Sequence, residues 1–131
     1  MGKFMSDKCR VLVVDDNRDA ALTLTVLLKI LGCETQTAYD GMEAVELDSS
    51  FRPEIVLLDI GLPSLNGYEV ARRIRQQEHG VDVFLVALTG RDQDEDLQNA
   101  KEAGFDRHIT KPADVEVLKQ LIEEANVRRQ H

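Results

Sequence analysis

The sequence predicts a doubly wound α/β domain, with a five-stranded parallel sheet in the order 2-1-3-4-5 and helices on both faces. Three observations carry that expectation. The apolar runs Val11–Val14 and Ile55–Leu58 are continuous rather than alternating, as in strands buried on both faces of a parallel sheet. Strand-like and helix-like segments alternate along the chain without repeats or low-complexity stretches. Both runs stop at aspartates, Asp15-Asp16 and Asp59, where loops at the carboxyl edge of the sheet would begin.

The elements follow in order. After the Val11–Val14 strand, Ala20, Leu24, Leu27 and Leu31 form one apolar helical stripe, stopped by Gly32. Glu34 to Ala38 reads as a short edge strand and Gly41 to Asp48 as a second helix. Ile55–Leu58 is the third strand, ending at Asp59. Beyond the Pro63 loop, Asn66 suits the cap of a helix with Val70, Ala71 and Ile74 on one face. Val83 to Leu88 is the fourth strand, ending at Thr89-Gly90. A polar helix from Asp92 to Ala103 follows, with a thin apolar face of Leu97, Ala100 and Ala103. Few buried contacts mean low local stability, the range from which switching elements are drawn. Arg107 to Thr110 is the fifth strand, and the last helix buries Leu118, Leu121, Ile122 and Ala125.

The composition narrows the function classes. At 131 residues, 43% hydrophobic and 31% charged, the chain is one globular domain. No apolar run approaches the roughly 20 residues of a membrane helix, and no signal-peptide layout opens the chain. A cytoplasmic protein with reduced thiols is expected; Cys9 and Cys33 fit no metal-ligand spacing and read as plain buried thiols. The net charge of −8 repels phosphate backbones, so no nucleic-acid binding is expected. Arg128-Arg129 is too short a basic run to change that and suits a helix C-terminus. His79 and His131 read as surface residues.

In this fold ligands bind beyond the carboxyl ends of the strands, where strand order reverses. Asp15, Asp16, Asp59, Thr89 and Lys111 all fall at that edge. Two carboxylates about 4 Å apart repel by about 4 kcal/mol at an effective dielectric near 20. Three together call for a hard divalent cation, and Mg²⁺ fits, with one or two carboxylates, waters and phosphate oxygens in its shell. A metal, the Lys111 ammonium and the Thr89 hydroxyl around Asp59 make a clamp for a phosphoryl group, with the carboxylate as nucleophile.

Four blocks, Val13-Val14-Asp15-Asp16, Leu57-Leu58-Asp59-Ile60-Gly61-Leu62-Pro63, Leu88-Thr89-Gly90 and Thr110-Lys111-Pro112, resemble the signatures of two-component response-regulator receiver domains. The resemblance spans about Cys9 to Ala125 and implies a flavodoxin-like (βα)5 fold. It implies that Asp59 accepts a phosphoryl group from a sensor histidine kinase or histidine phosphotransfer protein. Asp16 would bind Mg²⁺ directly and Asp15 mostly through water, with Asp59 and the Gly61 carbonyl completing the protein ligands. Thr89 and Lys111 would hold the phosphoryl oxygens and drive the switch, with the Asp92–Ala103 face as output. Arg91, two positions after Thr89, would exclude attacking water and lengthen the acyl-phosphate lifetime. The Lys111-Pro112 bond would be cis.

His108 departs from the pattern, since receivers often carry tyrosine or phenylalanine there. It is polar, and two readings stay open, a surface residue and a switch position. The expected organisation is an N-terminal extension at 1–8, the receiver at 9–128 and a tail at 129–131. With no output segment after the last helix, the expectation is a single-domain regulator or the receiver of a hybrid sensor kinase. It would be a monomer or weak dimer and a signalling domain rather than an enzyme. Haloacid-dehalogenase-type phosphatases place the nucleophile after the first strand in an Asp-x-Asp pattern; here Asp15-Asp16-Asn17 stands there. A flavin or dinucleotide site would need a Gly- or Ser/Thr-rich phosphate loop at that point. The rival reading is a phosphorylation-independent interaction module, which would be expected to lack one of Asp59, Thr89 or Lys111.

Overall fold

The continuous apolar runs form the middle of the sheet, where water reaches neither face. A computed structural model describes residues 8–62, 66–77, 80–90 and 101–129. The strands are β1 (Arg10–Val14), β2 (Glu34–Ala38), β3 (Ile55–Asp59), β4 (Phe84–Thr89) and β5 (Arg107–Thr110). They pair in parallel throughout, in the expected order β2-β1-β3-β4-β5. Every residue of β3 and β4 is buried, whereas β2 and β5 at the edges are largely open. β4 lies one residue later than the sequence suggests.

The helices are α1 (Arg18–Ile30), α2 (Gly41–Phe51), α3 (Gly67–Gln76) and α4 (Val115–Arg129), with residues 101–103 also helical. Alternate strand residues feed two cores. Leu12, Val14, Val56, Leu58, Leu85 and Ala87 pack with α2, α3 and Ala103 on one face. Val11, Val13, Ile55, Leu57, Phe84, Val86 and Leu88 pack with α1 and α4 on the other. Truncating one of these side chains, Leu57→Ala for example, costs about 2–5 kcal/mol.

The α1 stripe is corrected. Ala21, Leu24, Thr25 and Leu28 are buried, while Ala20, Leu27 and Leu31 are only half-buried. The helix is apolar around most of its circumference, so periodicity alone does not fix its rotation. Thr25 can enter the core because its hydroxyl donates to the Ala21 carbonyl at 2.7 Å and meets Thr37 Oγ1 at 3.3 Å. Leu22, Val26 and Ile30 are left on the exposed side. α2 also runs further than Asp48, to Phe51, before Arg52 closes it in the left-handed region at φ 52°. Ser50 is carried inside that helix by bonds from its hydroxyl to the Glu46 and Leu47 carbonyls. α3 follows expectation, with Asn66 Oδ1 accepting from Glu69 N–H at 3.0 Å.

The amino ends of β4 and β5 are held by one side chain. Arg75, in the last turn of α3, donates to the carbonyls of Gly80, Val83 and Gly104 and to Asp106 Oδ2, each within 3.0 Å. Asp106 Oδ2 also accepts from Leu85 N–H at 2.9 Å and pairs with Arg128 at 3.4 Å. Arg128 thus reaches sideways, over the Phe84 ring at 4.7 Å, as well as closing α4. Cys9 and Cys33 are both buried thiols, and neither is in a disulfide. Among the described residues no helix is long and apolar enough to cross a membrane. Residues 1–7, Pro63, His79, 91–100 and His131 lie outside the described residues. The reading of Arg91 and most of the Asp92–Ala103 helix falls there.

Candidate functional site

Register decides which side chains meet. Val14 lies opposite Leu58, so Asp15 and Asp59 follow side by side at the carboxyl ends of β1 and β3. Asp15 N–H donates to the Ala38 carbonyl at 3.1 Å, and its Oδ1 accepts from Asn17 N–H at 3.0 Å. That turn opens α1, where Asn17 Oδ1 caps Ala20 N–H at 3.0 Å. Asp59 Oδ1 accepts from Gly61 N–H at 2.8 Å. The turn after Asp59 is pressed against the start of α3. A Cβ on Gly67 would lie 2.4 Å from Ile60 Cα and 2.9 Å from the Asp59 carbonyl oxygen. Only glycine admits this approach.

The structure brings Asp15, Asp16, Asp59 and Lys111 together. Ligand oxygens of the three carboxylates lie within 4.8 Å of one another, with Asp15 and Asp59 buried and Asp16 exposed. Lys111 Nζ stands 2.9 Å from both Asp15 Oδ2 and Asp59 Oδ2. Its backbone is fixed by a bond from Lys111 N–H to the Thr89 carbonyl at 2.8 Å, and the Lys111-Pro112 peptide is cis. Burial acts to lower the Lys111 pKa, but the two carboxylates outweigh it and hold the ammonium above the usual lysine value.

The donor set suits a hard divalent cation. It offers only oxygens, and three carboxylates face one ammonium. Asp15 Oδ2, wholly buried, has the lysine beside it as an ion pair rather than as an aligned hydrogen bond. Thr89 is buried at the end of β4, and its hydroxyl donates to the Ile109 carbonyl at 3.3 Å, toward β5 rather than toward Asp59. His108 is exposed on β5, opposite Ala87. Gly61 lies exposed in the turn beyond Asp59.

The sequence profile of the response regulator receiver domain matches residues 11–123. The chain belongs to that family. This receiver domain is 38% identical over 109 residues to the response regulator MprA of Mycobacterium ulcerans. It is 32% identical over the same length to the DNA-binding dual master transcriptional regulator RpaA of Synechocystis. Each match covers 83% of this chain but only 46% and 45% of those proteins, so the chain spans about half the length of the curated relatives it matches. Among solved structures, the receiver domain of the Pseudomonas aeruginosa sensor histidine kinase PA1611 superimposes with a TM-score of 0.82 at 31% identity, covering 89% of this chain and 96% of that one. That structure has a magnesium ion coordinated in its active site cleft. The Vibrio cholerae chemotaxis protein CheY4 matches with a TM-score of 0.84 at 26% identity, covering 90% and 98%. The flavodoxin-like fold and the two-component signalling class expected of this receiver domain both hold.

Sequence reasoning passed over Asn17 and Gly67. An Asx residue two positions after Asp15, just before an apolar-periodic helix, was the available signal for the first. Gly67 directly after the Asn66 cap was the signal for the second, since a helix start rarely needs glycine there.

Proposed function

We propose that this receiver domain takes a phosphoryl group onto Asp59 from a phosphohistidine of a sensor histidine kinase or histidine phosphotransfer protein. The observation that carries the reading is a cluster of three carboxylates from two strand ends, two of which, Asp15 and Asp59, share the Lys111 ammonium from a third. An Asp59 carboxylate oxygen attacks phosphorus, the P–N bond breaks, and the imidazole leaves with its electron pair and takes up a proton. Asp59 becomes an acyl phosphate. Asp15, Asp16 and Asp59, with the Gly61 carbonyl, would hold Mg²⁺, which when bound neutralises charge on the phosphoryl oxygens. Lys111 screens the same oxygens as a point charge. Thr89 turns its hydroxyl from Ile109 to the added group, which carries the change toward β5, with His108 on its exposed side. Arg91 shields the acyl phosphate from water.

The partner is a protein rather than nucleic acid, in keeping with a net charge of −8. Leu22, Val26 and Ile30 line the exposed side of α1, whose start lies just beyond Asp16, and they suit a helical, histidine-bearing partner. Residues 9–128 act as the signalling unit in the cytoplasm, flanked by 1–8 and 129–131. They serve either as a regulator or as the receiver of a hybrid kinase.

Acetyl phosphate with Mg²⁺ tests this. Intact mass should show one added phosphoryl group, lost completely in Asp59→Asn and on chelation of the metal. Undiminished labelling of Asp59→Asn would refute the acceptor assignment. Absence of any labelling, with histidine donors as well, would leave the phosphorylation-independent interaction module.

A further inference from the structure

At the amino end of the sheet, away from the acidic cluster, Cys9 and Cys33 immediately precede β1 and β2. Those strands pair in parallel with Arg10 opposite Glu34, so the two cysteines face one another one rung earlier. Glu34 N–H donates to the Cys9 carbonyl at 2.9 Å, which closes that rung. Neighbouring strands lie about 4.8 Å apart, inside the range of about 4.4–6.8 Å between Cα atoms that a disulfide spans. Both side chains turn to the same face, into the cluster of Val11, Leu24 and Leu28. The same register sets their side chains next to each other across the two strands.

We propose that Cys9 and Cys33 form a reversible disulfide on exposure to a peroxide, stapling β1 to β2. Two buried cysteines elsewhere in a core would be inert packing; facing positions on adjacent strands make this pair different. Cys33 reacts first. The hydrogen bond from Cys9 holds its thiol below the ordinary value, against burial and the Glu54 carboxylate, which push it up. Both residues keep only slight exposure, 5% for Cys9 and 6% for Cys33, so the oxidant in this proposal is a small peroxide.

The Cys33 thiolate attacks one peroxide oxygen, the O–O bond breaks, and hydroxide leaves and is protonated to water. Cys33 is then a sulfenic acid. The Cys9 sulfur attacks the Cys33 sulfur, the S–O bond breaks, and the hydroxyl leaves as water with the Cys9 proton. Two thiols and one hydrogen peroxide give one disulfide and two waters. A thiol reductant reverses the bridge by exchange. The closed loop contains all of α1, so the bridge restricts the unfolded chain and raises the melting temperature by about 10 °C.

The test treats the full chain with hydrogen peroxide, then denatures, alkylates and maps it. The expected product has both cysteines protected, joined in one Cys9–Cys33 peptide, and runs as a monomer on a non-reducing gel. It melts about 10 °C higher until dithiothreitol restores the starting value. Cys9→Ser should leave a sulfenic acid at Cys33 that dimedone traps, with acetyl phosphate labelling unchanged. Full alkylation of both thiols after peroxide, bridges only between chains, or a bridged form melting no higher than the reduced one would each overturn the proposal.

Discussion

At the amino end of the sheet one guanidinium meets three carbonyls and a carboxylate, while at the carboxyl end three carboxylates cluster and one ammonium pairs with two of them. In the first arrangement Arg75 spreads its donors over three carbonyls and an already partnered carboxylate at the starts of two strands. The second leaves negative charge in excess. A fold can carry such excess because its stability is secured elsewhere, and the excess is what draws a cation or a phosphoryl group. Satisfied groups make a frame; unsatisfied ones make a site.

Arg75→Ala tests the frame and should have the largest effect. It strips three carbonyls and Asp106 of a charged donor, and a loss of about 3 kcal/mol in urea unfolding is expected, with or without Mg²⁺. A loss below about 1 kcal/mol would mean that water replaces the clamp at little cost. Gly67→Ala probes the joint between frame and site. Its Cβ would collide with the backbone at Ile60, so about 2 kcal/mol should be lost and labelling of Asp59 slowed. Destabilisation without slower labelling would show that the turn relaxes away from Asp59.

The smallest effect belongs to the site itself. Mg²⁺ at about ten times its dissociation constant should stabilise the chain by about 1.4 kcal/mol through linkage. A thermal shift of a few degrees reads it, and Asp16→Ala should shrink that shift. Equal melting temperatures with and without the ion would remove the metal from the account.

How much of this was legible depended on how local each feature is. β1 and β3 could be read because burial on both faces leaves continuous runs such as Ile55–Leu58. The site could be read because Asp15, Asp59, Thr89 and Lys111 each end or follow a strand, and topology does the rest. The rotation of α1 could not, since Leu22, Val26 and Ile30 are as apolar as the residues that pack. Arg75 looked like any surface arginine; its partners Gly104 and Asp106 are 29 and 31 residues away and meet it only in the folded chain. The facing of Cys9 and Cys33 likewise exists only once β1 and β2 are in register. Pairings made by register and by distant loops leave no periodic trace.

The position of Lys111, 2.9 Å from an oxygen of each of two strands, has one more consequence. A counter-ion held in common works like the beam of a balance. Any group that draws the ammonium toward Asp59 withdraws it from Asp15, whose buried Oδ2 then stands unneutralised at the end of β1. A change at one aspartate is therefore expected to be felt at the other through the shared ammonium. The loop that carries Lys111, tied to the Thr89 carbonyl, is tugged by the same event.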